Sequence, residues 1–343
     1  MRRTTALLLL ALFLLFTAGG AVFAQRGGVS QGGTIEVRLA SPMPRNSDWG
    51  RTMDRMAAEW ARVTNNQVRL RIIHDGIEGG ESKVLSSLAT DNIQATLFTS
   101  FGVAQICPAV MTLSIPFLIA NDDELDRVLQ NVQPILDDQI SKTNFVVIAW
   151  SKGGWVHVFS KDPVIVPEDL RKHRVATNPE SVDMNTVFKT MGFNMVETDM
   201  TDLGPRLASN MINSIYQTPA AVAPLGIHKS LGHMMDMPIA PFLGAIVMNR
   251  VTWNKLGPDR QRDITRVTQR IAAEFDTSMP KTTASAVSMM ARDGLKINKI
   301  SSAQEAVWRS DLLKAMPQLL GTTFDRDVYQ KINEILEKMR GGQ

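Results

Sequence analysis

The sequence predicts an exported α/β protein that divides into two lobes. Three observations carry this reading. Strand-like and helix-like stretches alternate along most of the chain, the pattern of parallel strands joined by helical crossovers. A chain of 343 residues is long enough to divide into two lobes. The first residues have the layout of a secretory signal: basic Arg2 and Arg3, an apolar run from Ala6 to Phe16, then Val22-Phe23-Ala24 before Gln25. That run is short for a membrane helix, which needs roughly 20 residues, and no later segment is apolar enough to span a bilayer. A cleavable signal over 1–24 and a periplasmic destination are expected.

Removing the signal takes two positive charges from a formal net charge of +3. A near-neutral chain has no clustered basic face for nucleic acid. The single cysteine, Cys107, rules out an intramolecular disulfide and reads as a small buried hydrophobe in "QICPAVMTL". Stability must come from a packed core.

The elements follow in order. Gln25 to Gly33 is Gly/Ser-rich and reads as a mobile leader. "TIEVRLA" alternates as a strand. In "NSDWGRTMDRMAAEWARVTNN", Trp49, Met53, Met56, Trp60 and Val63 recur at helical spacing, with Asn46 or Ser47 as cap and Asn65-Asn66 as stop. "QVRLRIIH" is a second strand, "DGIEGG" a glycine turn, "ESKVLSSLAT" a helix and "IQATLFTS" a third strand. "NDDELDRVLQNVQPILDDQI" is a helix with an acidic first turn. "FVVIAW" and "WVHVFS" read as two strands. "VPEDLRKHRVAT" feeds another, and Asn178-Pro179 suits the cap and first turn of a helix closed by Gly192. "FNMVET" and "MINSIYQTP" read as strands around a helix near 202–209, and "APFLGAIVMN" as an apolar strand. The remainder is helical, including "DRQRDITRVTQRIAAEFDTS" and "KTTASAVSMMARDG" as separate helices.

Catalytic patterns are missing. There is no G-x-S-x-G and no H-E-x-x-H. His228 and His233 are five apart, which misses the one-face spacing of a helical zinc pair. In "GIEGGESK" the lysine follows the serine, so the phosphate-loop order fails. No enzyme activity, metal or cofactor is expected. A two-lobed exported protein of this kind suggests a binding protein, with the ligand at the C-terminal ends of strands.

Several stretches then carry a family likeness, in order: "EVRLASPMPRNSDWGRTMDRMAAEWARVTNNQVRLRII", "DGIEGGESKVLSSLATDNIQATLFTS", "TLSIPFLIANDDELDRVL", "FSKDPVIVPEDLRKHRVATNP", "LASNMINSIYQTP" and "LGHMMDMPIAPFLGAIVMNRVTWNKLGPDRQRDI". Over roughly residues 34–310 the chain resembles the extracytoplasmic solute receptors of TRAP transporters, the DctP-like family. The resemblance implies two lobes that close over an organic acid, with a long lobe-spanning helix. It implies delivery to membrane permease subunits by a monomer or homodimer. Lobe I is expected at 34–156 plus about 246–310, lobe II at 157–245, and C-terminal helices over 311–343 packing across both.

The family's carboxylate-binding arginine lies in a segment matching "RKHRV", which assigns that role to Arg174. A guanidinium suits a carboxylate in a way lysine does not, and the helix start near Asn178 would add anion-favouring amides. The alternative is a solvated arginine at a strand edge. Many relatives carry a second arginine at Lys161 and an asparagine at Thr218, and some a glutamate near Thr99. Asn210 and Asn213 replace a family glycine and aspartate. Trp155 stands where some relatives are polar or cationic, and adds an apolar wall. Nine methionines fall between Met184 and Met248. They read as core filling or as an adaptable cleft lining. These departures thin the polar site and point to a monocarboxylate with an apolar body. The competing reading is an exported scaffold or signalling protein that kept the fold without transport.

Overall fold

The computed structural model describes residues 33–341. The expected signal over 1–24 lies outside the described residues, as does most of the Gly/Ser-rich leader.

The chain opens as its alternation requires. β1 (Ile35–Ala40) leads into α1 (Asp48–Val63), which is capped by the Ser47 side chain accepting from the Gly50 amide. Met53, Met56 and Trp60 form the buried stripe of α1. β2 (Val68–Ile73), α2 (Glu81–Ala89) and β3 (Ala95–Thr99) follow, and β1 pairs parallel with both β2 and β3. A short α3 (Ser100–Ala104) and a 3₁₀ stretch (Pro108–Ser114) lead to α4 (Asp122–Ser141), whose first turn is capped by Asn121.

β4 (Phe145–Ser160) is one strand of 16 residues where periodicity suggests two. Gly153 and Gly154 make the join. Gly154 has φ +89°, and the register against the neighbouring strand slips between Lys152 and Trp155. A bulge there needs backbone that glycine adopts without strain.

The chain continues through α5 (Pro167–Arg171), β5 (Arg174–Thr177), α6 (Val182–Thr190), β6 (Asn194–Glu197), α7 (Leu203–Ala208) and β7 (Ser214–Gln217). Next come α8 (Pro219–Leu225), α9 (His228–Leu231), β8 (His233–Asp236) and β9 (Ala240–Asn249). Then follow α10 (Arg250–Leu256), α11 (Pro258–Arg292), β10 (Lys296–Lys299), α12 (Ser302–Leu319) and α13 (Arg326–Arg340).

The strand order β2-β1-β3-β9-β4-β7-β5-β6 sets out two lobes. β4 belongs to both. As far as Val156 it pairs antiparallel with β9; from His157 to Ser160 it pairs with β7, and Phe159 and Ser160 also pair with β8. β10 pairs with β8. α11 is a single helix of 35 residues, where the sequence suggests a break before Pro280. The proline removes one hydrogen bond, but Phe275, Met279 and Met290 are buried on either side and packing carries the helix through. α11 packs on α1, β4 and α8.

α12 packs on α5 and α6, and α13 on α4 and the 3₁₀ stretch. The Trp308 indole donates to the Ile165 carbonyl at 2.9 Å, and Arg340 grips Glu124 with two nitrogens at 2.7 and 2.8 Å. One continuous core joins Phe98, Val158, Phe188 and Trp308. Cys107 lies in it, 2% exposed, its thiol donating to the Gln139 side-chain oxygen. Burial pushes that thiol's pKa up.

The β4 join is a sensitive point. A Cβ at Gly153 would fall 2.4 Å from the Phe242 ring and 3.2 Å from Trp49. Gly153→Ala is expected to destabilise the protein by about 1–3 kcal/mol through overpacking. Urea denaturation against wild type measures it, and an unchanged midpoint would refute the crowding.

Candidate functional site

The polarity of the strands decides where a ligand can sit. β1 and β3 of one lobe and β5 and β7 of the other direct their C-terminal ends to a common cleft, where loop amides and helix starts converge. A cavity of about 30 Å³ remains there, on the order of two waters' worth of space. Phe101 and Phe242 line it from one side, Met184, Phe188 and Tyr216 from the other, and Val156 from β4 between them. No lining side chain carries a formal charge.

A neutral polar cluster stands beside the cavity. The Thr177 hydroxyl bonds to the Asn185 side-chain oxygen and lies 3.3 Å from the Tyr216 hydroxyl. Phe188 meets the Tyr216 ring edge-on at 5.0 Å. Burial pushes the Tyr216 pKa up, so the phenol keeps its proton.

The candidate cations lie elsewhere. Arg174 is the first residue of β5, while the cleft is at the strand's last. Its guanidinium donates to the carbonyls of Asn210 and Met211 at 2.7 and 3.2 Å, in the loop before β7. Lys161 donates to the Leu207 carbonyl at 2.8 Å and the Asn210 side chain at 3.3 Å. Both therefore brace the α7–β7 loop, at the end of the strands away from the cleft. The Arg174 side chain is thus placed at the end of β5 away from the cleft, and not at the carboxylate-anchor position expected for it. Trp155 turns its indole to Asp122 at the start of α4, at 2.8 Å.

Three of the other candidates do sit at C-terminal strand ends. Thr99 ends β3 and caps α3. Asn178 follows β5, accepting from the Glu180 amide at 2.9 Å. Thr218 follows β7, buried, as the residue before α8. Of the nine methionines, Met184 lines the cavity; Met191, Met235 and Met237 fill the shared core. The two histidines are separately engaged, His228 with Asp293 and His233 with Asn298. Among the described residues no cluster of metal-ligating side chains occurs.

Two acidic residues at this cleft escape sequence reasoning. Glu81 opens α2 and is buried; its carboxylate accepts from the Thr99 amide at 2.6 Å and the Thr99 hydroxyl at 2.7 Å. Glu180, from the opposite lobe, accepts from the Glu81 and Ser82 amides at 2.7 and 3.2 Å. The contact joins residues 99 apart in the chain, and no local pattern announces it.

Burial raises the Glu81 pKa to about 7, with the nearby Glu180 charge adding to the shift and the Thr99 hydrogen bonds opposing it. The folded value lies above that of an unfolded glutamate. Ionising Glu81 therefore works against folding: stability falls as pH rises from about 4.3 to about 7, and the loss is complete above that. Glu81→Gln is expected to remove that decline, with the variant the more stable at pH 8 by an amount on the order of 3–4 kcal/mol. Chemical denaturation across pH checks it; parallel curves for the two proteins would refute it.

Comparisons with known proteins agree with this architecture. The family model "Bacterial extracellular solute-binding protein, family 7", DctP, matches residues 39–320. A solute-binding protein of Chromohalobacter salexigens is 24% identical over 139 residues, a stretch covering 39% of this chain and 41% of that protein. The protein YiiZ of Salmonella typhimurium is 24% identical over 280 residues, covering 78% of this chain and 82% of its own length. Among solved structures, a TRAP periplasmic solute-binding protein from Sulfurospirillum deleyianum with bound succinate superposes with a TM-score of 0.79 at 18% identity. It covers 89% of this chain and 100% of that one. A sugar acid binding protein from Advenella mimigardefordensis in complex with galactonate gives 0.81 at 14% identity, covering 89% and 99%. Fold, cleft and family match converge, and the chain belongs to the DctP family of bacterial extracellular solute-binding proteins, the solute receptors of TRAP transporters.

Proposed function

We propose that this chain is the receptor of a TRAP-type importer, exported by its first 24 residues, and that it captures an organic acid with one carboxylate and an apolar body. The observation that carries the ligand class is the uncharged, largely apolar cavity wall drawn from both lobes. The acids bound by the Sulfurospirillum and Advenella proteins support an acid as the ligand. On this reading the apolar body packs against Phe101, Met184, Phe188 and Phe242, and the carboxylate meets the Thr177, Asn185 and Tyr216 groups. Ligand bridges both lobes only when they are closed, so binding shifts the open–closed population. The closed form then docks on the membrane permease subunits, which supply the ion coupling. The lobes divide near residues 156 and 157, where β4 changes partners.

One observation favours a second reading, a neutral solute of similar shape. No cation lines the cavity, and burying an anion without one is costly.

Thermal shift on residues 25–343, purified by unfolding and refolding, separates these readings. The panel holds dicarboxylates, sugar acids, branched and aromatic monocarboxylates, and the matching amides. Monocarboxylates are expected to stabilise most. Equal stabilisation by the amides would establish the neutral reading, and a flat panel would sink the receptor reading in favour of a non-transporting scaffold.

Mutations test the wall. Phe188→Ala is expected to weaken binding about tenfold or more, since loss of ~1.4 kcal/mol of apolar contact is a factor of ten. Arg174→Ala is expected to leave affinity within about threefold, because that side chain braces a loop. Calorimetric titration with the best panel member measures both; a large loss on Arg174→Ala would restore it as the anchor.

A further inference from the structure

Glu180 occupies an unusual place. Gly80, the residue before α2, has no side chain to cap the helix, and the cap comes from the other lobe. The Glu180 carboxylate takes the first two amides of α2, one on each oxygen. Its own loop is held by the Asn178 side chain, which accepts from the Glu180 amide. The fit is close: a Cβ at Gly80 would fall 2.4 Å from the Glu180 carboxylate. The neighbouring Glu81 turns its carboxylate inward to Thr99, so the amides of this turn face Glu180 and the side chain does not.

We propose that Glu180 is a tethered carboxylate that fastens the two lobes by filling the anion-reading turn of α2, and that it thereby sets the receptor's affinity. The helix N-terminus favours an anion through its free amides and its dipole. Tethering holds the carboxylate near that turn at high effective concentration, so a free acid competes poorly for it. A ligand's carboxylate is kept from these amides, and a second carboxylate on the ligand meets the charge of Glu180. The fastening raises the closed population before any ligand arrives, which strengthens apparent affinity by the same factor. The bond exists only between closed lobes, since its partners belong to α2 and to the β5–α6 loop.

The consequence for affinity rests on the receptor reading; the fastening itself does not, and it is tested without cognate ligand. Small-angle scattering on refolded residues 25–343 would compare wild type, Glu180→Ala, Glu180→Gln and Gly80→Ala. The expected result is a larger radius of gyration for Glu180→Ala and for Gly80→Ala, which displaces the carboxylate without removing its charge. Glu180→Gln should fall between these and wild type. Circular dichroism confirms that each variant is folded, and Ser82→Ala, which keeps the amide, controls for substitution in the same turn. Sodium acetate, with sodium chloride as the ionic-strength control, should return Glu180→Ala toward the compact form and leave wild type unchanged. Folded Glu180→Ala and Gly80→Ala proteins as compact as wild type would overturn the fastening. Expansion that acetate does not reverse would overturn the assignment of the α2 turn as a carboxylate position.

Discussion

The antiparallel pairing of β4 with β9 runs from Phe145 to Val156 on one strand and from Asn249 back to Ala240 on the other. Both lobes hang on this pair. β9 carries β3 on its far side, and β4 passes beyond the bulge to carry β7 and β8. Asp276 of α11 steadies the crossing, its carboxylate accepting from the Ser151 hydroxyl at 2.7 Å and the Lys152 amide at 2.8 Å. A strand cannot slip by one residue without turning its buried face outward. Relative movement of the lobes must therefore bend these strands, and the glycines at 153 and 154 mark where bending is easiest.

Strand polarity is the second constraint, and it separates the two ends of the same lobe. At the N-terminal ends of β5 and β7, Arg174 donates to the Asn210 carbonyl, and Lys161 adds a second donor to the Leu207 carbonyl, which already accepts from the Asn210 amide. At the C-terminal ends stand hydroxyls, amides and the hydrogen-bonded carboxylates of Glu81 and Glu180, and the cavity walls are aromatic and aliphatic. Arg174 and Lys161 thus serve the scaffold at one end, while the cavity at the other is lined by uncharged side chains.

Most of the fold was legible in the sequence because periodicity and capping are local. The stripe of α1, the acidic start of α4 and the alternation of β1 and β2 each follow from residues within one or two turns. What was not legible depends on distant partners. The sequence split β4 at its glycines and α11 near its proline, because a bulge and a packed helix flank are recognised only from the other side of the contact. Of the expected site residues, Thr99, Asn178 and Thr218 lie at C-terminal strand ends. The placement of Arg174 away from the cleft was not legible, because charge and neighbouring motif do not reveal which end of a four-residue strand a side chain serves. Glu81 was missed because a helix-opening glutamate reads as ordinary surface chemistry until its burial is known, and Glu180 because its partner amides are distant in the chain.

The buried thiol of Cys107 has a practical corollary. The sequence contains no other cysteine, and this one is enclosed, hydrogen-bonded and held in its protonated form by burial. Thiol reagents attack the exposed thiolate, so the folded protein offers them almost no background. A fluorophore or spin label attached through a cysteine introduced on either lip of the cleft would report from that position alone. The native chain is thus already suited to conversion into an optical sensor for whatever it carries.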